Sequence, residues 1–234
     1  MTLPRLFIAI DTPDHERAGS LARMIGGKAG IKLGLEFFTA HGPAGVRRVR
    51  APGQKLFLDL KLHDIPNTVA GAVRSALALE PDLLTVHAGG GRAMMEAAAQ
   101  AARASASAPV LLAVTVLTSL DEASLDEIGQ RGPAAEQALR LARLAQRAGI
   151  GGAVCSAHEV GALKGALGSA FRLAVPGLRP AGTERRDDQA RVMTPRDAVR
   201  LGADWLVIGR PVTAAADPAK ALERILDEIA GGAP

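Results

Sequence analysis

Short apolar runs alternate with helical patterns along the whole of this 234-residue chain. The apolar runs, each the length of a strand, fall at residues 6–11, 29–33, 56–61, 83–88, 110–117, 152–155, 171–175 and 205–208. Alternation of this kind predicts a parallel sheet covered by helices. Eight such units in a chain of this length fit a closed barrel better than an open sheet, and no linker is long enough to separate domains. We therefore predict an α/β fold with a single domain, a (β/α)8 TIM barrel over residues 1–234.

Local signals predict where several helices begin or break. Residues 13–25 form a predicted helix with Thr12 before it as the expected cap. The helix predicted at 36–50 should break at Gly42, which is followed by a proline. Thr194, which also precedes a proline, is the expected cap of a later helix.

The composition narrows the classes of function. The formal net charge is +4, the basic residues are spread out, and the chain has no Tyr and one Trp, which argues against a nucleic-acid surface. No segment of 18 or more residues is free of charge, so we expect no membrane span. The single cysteine, Cys155, cannot form an internal disulfide, and the first residues lack the pattern of a signal peptide. We expect a cytoplasmic enzyme that acts on an anionic substrate.

Residues 58–68 place two carboxylates and an ammonium within six positions, at the end of a predicted strand. Because side chains alternate between the faces of a strand, Asp59 and Lys61 should share one face. Only six of the 28 basic residues are lysines, and Lys32 also falls in an apolar, strand-like segment. A compact ammonium that can give up a proton is one reason to keep lysine there. Buried charges must be paired and often mark active sites, so we predict a charged cluster here.

Polar residues gather where the predicted strands end. In a (β/α)8 barrel the active site lies at the carboxyl ends of the strands. The residues found there are Asp11, Lys32, Asp59, Lys61, His87 and Thr118. Taken singly, Asp11 could be a helix cap, His87 a hydrogen-bonded structural histidine and Thr118 a cap of the next segment. Because all six should face one opening, we expect them to form one site.

A second pattern indicates a phosphate site. The last predicted strand is followed at once by Gly209 and Arg210. Glycine lets an anion approach the backbone N–H groups, and arginine supplies a forked cation, although an ordinary turn with a surface arginine would look the same. The polar segment at about 177–193 follows the seventh strand, and we predict that it closes over the phosphate. The five histidines are scattered, so we predict no metal site.

Residues 59–68, Asp-Leu-Lys-Leu-His-Asp-Ile-Pro-Asn-Thr, resemble the signature of the orotidine 5′-monophosphate decarboxylase family. Further segments resemble that family over nearly the whole chain: 7–11, 31–34, 85–88, 114–119, 154–157, 176–180, 188–192, 194–195 and 208–211. The resemblance implies decarboxylation of orotidine 5′-monophosphate to uridine 5′-monophosphate, the last step of de novo pyrimidine nucleotide synthesis. Position 63 varies in the family, so His63 is not expected to be catalytic.

The resemblance implies a role for each member of the charged cluster. Lys61 would stabilise the carbanion left by the departing carbon dioxide and would then protonate it. Asp59 would lie beside the departing carboxylate and help to keep Lys61 charged, while Lys32 and Asp64 would complete an alternating row of charges. Neither a cofactor nor a metal ion is implied, so the protein itself would supply the electrostatic stabilisation.

The family pattern also implies the substrate contacts and the assembly. The residues expected to bind the substrate are Asp11, Lys32, Thr68, Thr118, Pro176, Arg179, Gln189, Gly209 and Arg210. Asp11 and Asp64 would hold ribose hydroxyls, Thr118 would meet the pyrimidine, and the last four residues of the set would hold the phosphate. Asp64 and Thr68 would reach into the site of the neighbouring subunit. The expected partner is therefore a second copy of the chain in a two-fold homodimer, and not a nucleic acid or a membrane.

Two other functions remain open from the sequence. A sugar-phosphate lyase or decarboxylase of the hexulose-phosphate synthase and keto-gulonate-phosphate decarboxylase type shares an Asp-x-Lys-x-x-Asp motif but uses magnesium. The residues at 65–68 and 176–180 argue against that enzyme. A non-catalytic barrel that binds a phosphate ligand or a nucleic acid would have to explain why the full row of charges is intact.

Overall fold

The computed structural model describes residues 4–130, 132–181 and 193–231. Eight parallel strands form a closed barrel in which each strand pairs with the next along the chain and the first pairs with the last. The strands are β1 Leu6–Ala9, β2 Gly30–Gly34, β3 Leu56–Leu62, β4 Leu83–His87, β5 Val110–Val114, β6 Gly152–Val154, β7 Arg172–Val175 and β8 Trp205–Ile208. The predicted (β/α)8 barrel is therefore confirmed.

Helices cover the outside of the barrel. Those in the described part of the chain are α1 His15–Ile25, α2 Leu35–Val49, α3 Pro66–Leu77, α4 Gly91–Arg103, α5 Glu122–Glu127, α6 Ala134–Arg147, α7 Val160–Leu167, α8 Pro195–Arg200, α9 Arg210–Thr213 and α10 Pro218–Ala230. None of these helices is both long enough and apolar enough to cross a membrane.

The helix signals in the sequence are mostly confirmed. The predicted break in α2 lies at Gly42, whose φ of +57° is outside the helical range. Thr194 caps α8 as predicted, since its side chain accepts a backbone hydrogen bond from the first turn. The cap predicted for α1 is wrong: the helix begins at His15, and Asp14 rather than Thr12 accepts the two backbone hydrogen bonds of the first turn.

A small apolar core fills the inside of the barrel. Phe7 and Phe57 meet edge to face with ring centroids 5.8 Å apart, and other side chains of this cluster pack around them. Gly30 leaves the space that the ring of Phe7 occupies, because a Cβ at position 30 would collide with it. Lys32 follows Gly30 by two residues in β2, and Asp59 follows Phe57 by two residues in β3. Their side chains therefore form the next layer toward the carboxyl ends of the strands. The apolar layer therefore closes the barrel beneath these charges.

Asp204 connects neighbouring elements at the amino ends of the strands, the end of the barrel opposite Lys32 and Asp59. Its Oδ2 accepts hydrogen bonds from Lys164 Nζ at 2.6 Å and from the backbone N–H of Leu173 at 2.8 Å, and its Oδ1 accepts one from Arg172 at 2.7 Å. The carboxylate is largely buried, as is the ammonium of Lys164, for which Asp204 is the counter-ion. In such barrels this end contributes to stability, whereas the other end carries the chemistry.

We expect Asp204→Ala to lower the free energy of unfolding by about 3 kcal/mol, because it leaves the largely buried ammonium of Lys164 without its counter-ion. As a matched control, Glu223→Ala removes the exposed ion pair with Lys28 and should cost less than about 1 kcal/mol. Urea unfolding of both variants measures the difference. Equal losses, or a large fall in turnover for Asp204→Ala, would contradict a purely structural role at this end.

Candidate active site

A cavity of about 810 Å³ opens at the carboxyl ends of the strands. The residues predicted from the sequence that line it are Asp11, Lys32, Asp59, Lys61, Thr118, Pro176, Arg179, Gly209 and Arg210. Apolar residues, including Phe57, Val116 and Leu117, form much of the remaining wall. The fold thus brings Lys32, Asp59 and Lys61 to the same opening as Arg179, Gly209 and Arg210, three of the residues expected to hold a phosphate. The cavity has a size common for small-molecule sites.

Four charged side chains form a continuous row in this cavity. Lys61 Nζ lies 2.9 Å from both carboxylate oxygens of Asp59. Lys32 Nζ lies 3.3 Å from the same carboxylate and 3.2 Å from Asp11 Oδ1. The side chains of Lys32 and Asp59 are 10% and 12% exposed, whereas that of Asp11 is 55% exposed. The two buried members, Asp59 and Lys32, therefore lie in the middle of the row, between the partly exposed Lys61 and the exposed Asp11.

The row sets the protonation of Asp59. Burial by itself would raise the pKa of this carboxyl, but the positive charges of Lys32 and Lys61 and the hydrogen bonds from Lys61 and Thr85 outweigh burial and hold the pKa below its usual value. Asp59 is therefore a carboxylate at neutral pH. Two cations flank this one buried anion, which satisfies the rule that charges taken out of water must be paired.

The backbone of β3 is irregular where Lys61 joins the row. Its register with β4 shifts between Leu58 and Leu62, and Lys61 has a φ of +48°. A left-handed conformation in a residue other than glycine costs on the order of 1–3 kcal/mol, and such residues cluster at functional sites. Both Asp59 and Lys61 line the cavity, as the alternation along the strand predicts, but simple alternation does not account for this local distortion.

Thr85 is part of this site and was missed by the sequence analysis. Its hydroxyl accepts a hydrogen bond from the backbone N–H of Lys61 at 2.8 Å and donates one to Asp59 Oδ1 at 2.9 Å. The residue is fully buried in β4, among apolar neighbours. A single hydroxyl in an otherwise apolar strand is the signal that could have identified it, because buried polar groups need partners.

His87 does not belong to the charged row. Its ring stacks on that of His63 at a centroid distance of 5.0 Å, and its Nδ1 accepts a hydrogen bond from the backbone N–H of Gly89. Burial, followed by the nearby charges of His63 and Lys61, lowers the pKa of His87. The prediction that it faces the opening with the other polar residues is wrong, because it does not line the cavity and the structural alternative fits it better. In the described part of the chain, no three His, Cys, Asp or Glu side chains are placed to hold a metal ion.

The expected phosphate end lies across the cavity from β3. Gly209 immediately precedes α9, which begins at Arg210, and both residues line the cavity. The backbone N–H of Arg179 donates to the carbonyl oxygen of Met193 at 3.3 Å, which brings together the two described ends of the predicted closing segment. Gln189 and most of the segment at 177–193 lie outside the described residues.

Asp64 and Thr68 are exposed and do not line the cavity of their own chain. The Oδ1 of Asp64 accepts a hydrogen bond from the backbone N–H of Ile65 at 2.6 Å. The apolar residue Ile65 is 67% exposed, and Leu35 at the start of α2 is 53% exposed. Within one chain, Asp11 is the carboxylate at the end of the row of charges. The place of Asp64 in the row, expected in the site of a neighbouring subunit, stays a prediction.

Comparison with known proteins gives a consistent result. A family model described as "Orotidine 5′-phosphate decarboxylase / HUMPS family" matches residues 4–225. Orotidine 5′-phosphate decarboxylase of Anaeromyxobacter sp. (strain K) is 53% identical over 222 residues, which cover 94% of this chain and 96% of that protein. The enzyme of the same name from Idiomarina loihiensis is 49% identical over 230 residues, with coverages of 98% and 99%. The crystal structure of orotidine 5′-phosphate decarboxylase from Lactobacillus acidophilus superposes with a TM-score of 0.85 at 37% identity, over 96% of this chain and 98% of that one.

Proposed function

The chain belongs to the orotidine 5′-phosphate decarboxylase / HUMPS family, and from this we propose that its charged row decarboxylates orotidine 5′-monophosphate to uridine 5′-monophosphate. The activity is that of an orotidine 5′-phosphate decarboxylase, an enzyme of pyrimidine biosynthesis. The observation that supports the proposed mechanism most strongly is the position of Lys61 Nζ, 2.9 Å from both oxygens of Asp59 at the wall of the cavity.

The reaction needs an electrostatic partner for a carbanion. The bond between the ring carbon and the carboxylate carbon breaks, its electron pair stays on the ring carbon, and carbon dioxide leaves. Because the ring has no conventional electron sink, an ammonium next to that carbon lowers the energy of the transition state. We assign this ammonium to Lys61, which then transfers one proton from Nζ to the ring carbon and completes uridine 5′-monophosphate.

Asp59 and Lys32 hold the proton donor in position. Asp59 binds Lys61 through both carboxylate oxygens, and Lys32 binds Asp59 from the other side. In the proposed complex Asp59 lies beside the carboxylate that departs. Because these contacts already exist in the free protein, the ammonium does not have to be reorganised when the substrate binds. The proposed mechanism uses no cofactor and no metal ion.

The remaining cavity residues would hold the rest of the substrate. We assign Asp11 and Lys32 to the ribose and Thr118 to the pyrimidine. We assign the phosphate to Gly209 and Arg210, with Pro176, Arg179 and Gln189 as further contacts. The segment at 177–193 would close over the phosphate, so that the energy of binding this remote group is used to assemble the reacting end.

We also propose that the enzyme is a homodimer with shared active sites. Asp64 and Thr68 are exposed and do not line the cavity of their own chain, and Ile65, next to Asp64 in the sequence, is an exposed apolar residue. An exposed apolar group beside an exposed carboxylate suits a surface that a second copy covers. Asp64 would then contact the ribose of the substrate bound by the partner. We propose a cytoplasmic location, which suits a chain whose one cysteine is reduced and buried.

Incubating purified, chelator-treated protein with orotidine 5′-monophosphate tests the proposed reaction. We expect the orotate chromophore to disappear and uridine 5′-monophosphate to form without added metal. Activity that returns only with magnesium would favour the sugar-phosphate chemistry. Tight binding of uridine 5′-monophosphate with no turnover would favour a binding protein.

Arg210→Ala should weaken binding of uridine 5′-monophosphate by roughly 10- to 100-fold, because a charge-assisted hydrogen bond to phosphate contributes about 1.5–3 kcal/mol. Binding of uridine, which has no phosphate, should hardly change. The control is Arg200→Ala, which removes an exposed arginine of α8 that does not line the cavity. Calorimetric titration with both ligands measures the effects, and equal losses for nucleotide and nucleoside would remove Arg210 from the phosphate site.

A further inference from the structure

The hydroxyl of Thr85 closes a ring of hydrogen bonds around the proposed proton donor. The backbone N–H of Lys61 donates to Thr85 Oγ1 at 2.8 Å, and Thr85 Oγ1 donates its proton to Asp59 Oδ1 at 2.9 Å. Lys61 Nζ then donates to the same oxygen of Asp59 at 2.9 Å. The ring therefore fixes the backbone and the far end of Lys61 at the same time, through one neighbouring hydroxyl and one carboxylate.

The distorted backbone explains why Lys61 needs this partner. Regular pairing between β3 and β4 is interrupted between Leu58 and Leu62, and Lys61 lies in that interval with a φ of +48°. Its N–H bonds to a side-chain oxygen of β4. A lysine with a left-handed backbone conformation persists only where surrounding contacts compensate for the free-energy cost of that conformation. Thr85 supplies such a contact at the residue whose position matters most for the reaction.

Thr85 is placed to act without touching the substrate. It is fully buried, and it does not line the cavity that Lys61 and Asp59 line. A hydroxyl has one proton to donate and lone pairs that accept, and here the proton goes to a carboxylate while a lone pair receives a backbone N–H. Valine has nearly the same shape as threonine but offers neither interaction. A Thr85→Val substitution therefore removes the hydrogen bonds of the hydroxyl while keeping the packing of the side chain.

We propose that Thr85 is a positioning residue for the decarboxylation: its hydroxyl holds the backbone of Lys61 and the carboxylate of Asp59 in the arrangement from which the ammonium reaches the ring carbon. This inference rests on the roles proposed above for Lys61 and Asp59. Loss of the hydroxyl leaves the N–H of Lys61 without this acceptor and removes one of the two hydrogen bonds that Asp59 Oδ1 accepts, so that only the bond from Lys61 Nζ holds this oxygen. The ammonium then occupies the productive position for a smaller fraction of the time, and displacements of about 1 Å can cost roughly 100-fold in rate.

The test compares Thr85→Val, Thr85→Ser and the matched control Thr115→Val. Thr115 is also buried in the barrel, at 2% exposure, but its hydroxyl donates to the carbonyl oxygen of Val154 at 3.0 Å and has no link to the row. We expect Thr85→Val to lower kcat by roughly 10- to 100-fold, because only the reacting end is disturbed. Its KM should stay within about threefold of wild type, because uniform binding is retained. Thr85→Ser should recover most of the lost kcat, and Thr115→Val should change neither constant by more than about threefold.

Three outcomes would overturn the inference. The first is a kcat for Thr85→Val within about threefold of wild type, and the second is an equal loss of kcat in Thr85→Ser and Thr85→Val. The third is a rise in KM that accounts for the whole loss of kcat/KM in Thr85→Val. If Thr85→Val does not fold, as judged by circular dichroism, Thr85→Ala takes its place with the same expected loss of kcat. Failure of the proposed mechanism gives a different pattern, since Lys61→Ala would then remain active. An inactive Lys61→Ala together with a normal Thr85→Val would remove only the role of Thr85.

Discussion

Lys61→Ala should lower kcat by at least about 10⁴-fold, because it removes the group to which we assign both the stabilisation of the carbanion and the proton that replaces carbon dioxide. General acid catalysis alone typically contributes about 10²–10⁴-fold, and a preorganised electrostatic contact about 10²–10³-fold. The fold should remain intact, since Asp59 keeps its contact with Lys32 at 3.3 Å and its hydrogen bond from Thr85. Disappearance of the orotate chromophore measures turnover, and thermal unfolding measures the fold.

Lys55→Ala is a matched control for this experiment. Lys55 has a side-chain exposure of 29%, against 32% for Lys61, and it binds Asp82 at 2.8 Å at the amino end of the barrel. In Lys55→Ala, Asp82 keeps Arg50 as a second cation. In Lys61→Ala, Asp59 likewise keeps Lys32. We expect Lys55→Ala to lower stability and to leave kcat unchanged. The comparison separates loss of a lysine ion pair from loss of the reacting group.

Lys61→Arg separates the charge from the proton. Arginine keeps the positive charge but does not give up a proton at working pH, and its planar fork does not occupy the position of a compact ammonium. We therefore expect this variant to remain nearly inactive. Normal turnover by Lys61→Ala would refute the assigned role, and substantial turnover by Lys61→Arg would show that Lys61 provides charge alone.

The barrel was predictable from the sequence because its signal is repeated. Each short apolar run between helical segments adds to the evidence, so errors at single ends, such as the choice of Thr12 over Asp14 as the cap of α1, leave the topology unchanged. Both residues are good caps, and only the backbone angles of the folded chain select one. The pairing of Asp59 with Lys61 was predictable because both the alternation along β3 and the need to pair buried charges indicate it.

The connection through Thr85 could not be predicted in the same way. It depends on the irregular pairing of β3 with β4, and a period of two along a strand contains no information about where that pairing shifts. The place of Asp11 in the row was also not predicted, because Lys32 reaches it across neighbouring strands of the closed barrel. His87 is the opposite case: it lies at a strand end as expected, but stacking on His63 takes it out of the row. Contacts between neighbouring strands, which join residues more than 20 positions apart in the chain, decided each of these three outcomes.

Mixing inactive Asp59→Ala and Asp64→Ala chains should restore activity if each site takes Asp64 from the partner subunit. In a hybrid dimer, one site then carries both substitutions and the other carries neither. Random reassortment of equal amounts makes about half of the dimers hybrid, so about one quarter of all sites are intact. We therefore expect up to about a quarter of wild-type turnover from two preparations that are each inactive.

The matched control for this mixing experiment is Asp59→Ala with Lys61→Ala. Asp59 and Lys61 lie 2.9 Å apart in one chain, so every site in the mixture carries one of the two substitutions and no activity should return. Subunit exchange is verified by mass spectrometry of differently tagged chains. Full exchange without rescue in the first mixture would contradict sharing of Asp64 between subunits. Sharing is supported by the exposure of Asp64, which does not line the cavity of its own chain. Rescue in the first mixture alone would mean that the active unit is the dimer, and that the exposed surface around Asp64 is part of the catalytic machinery of its neighbour.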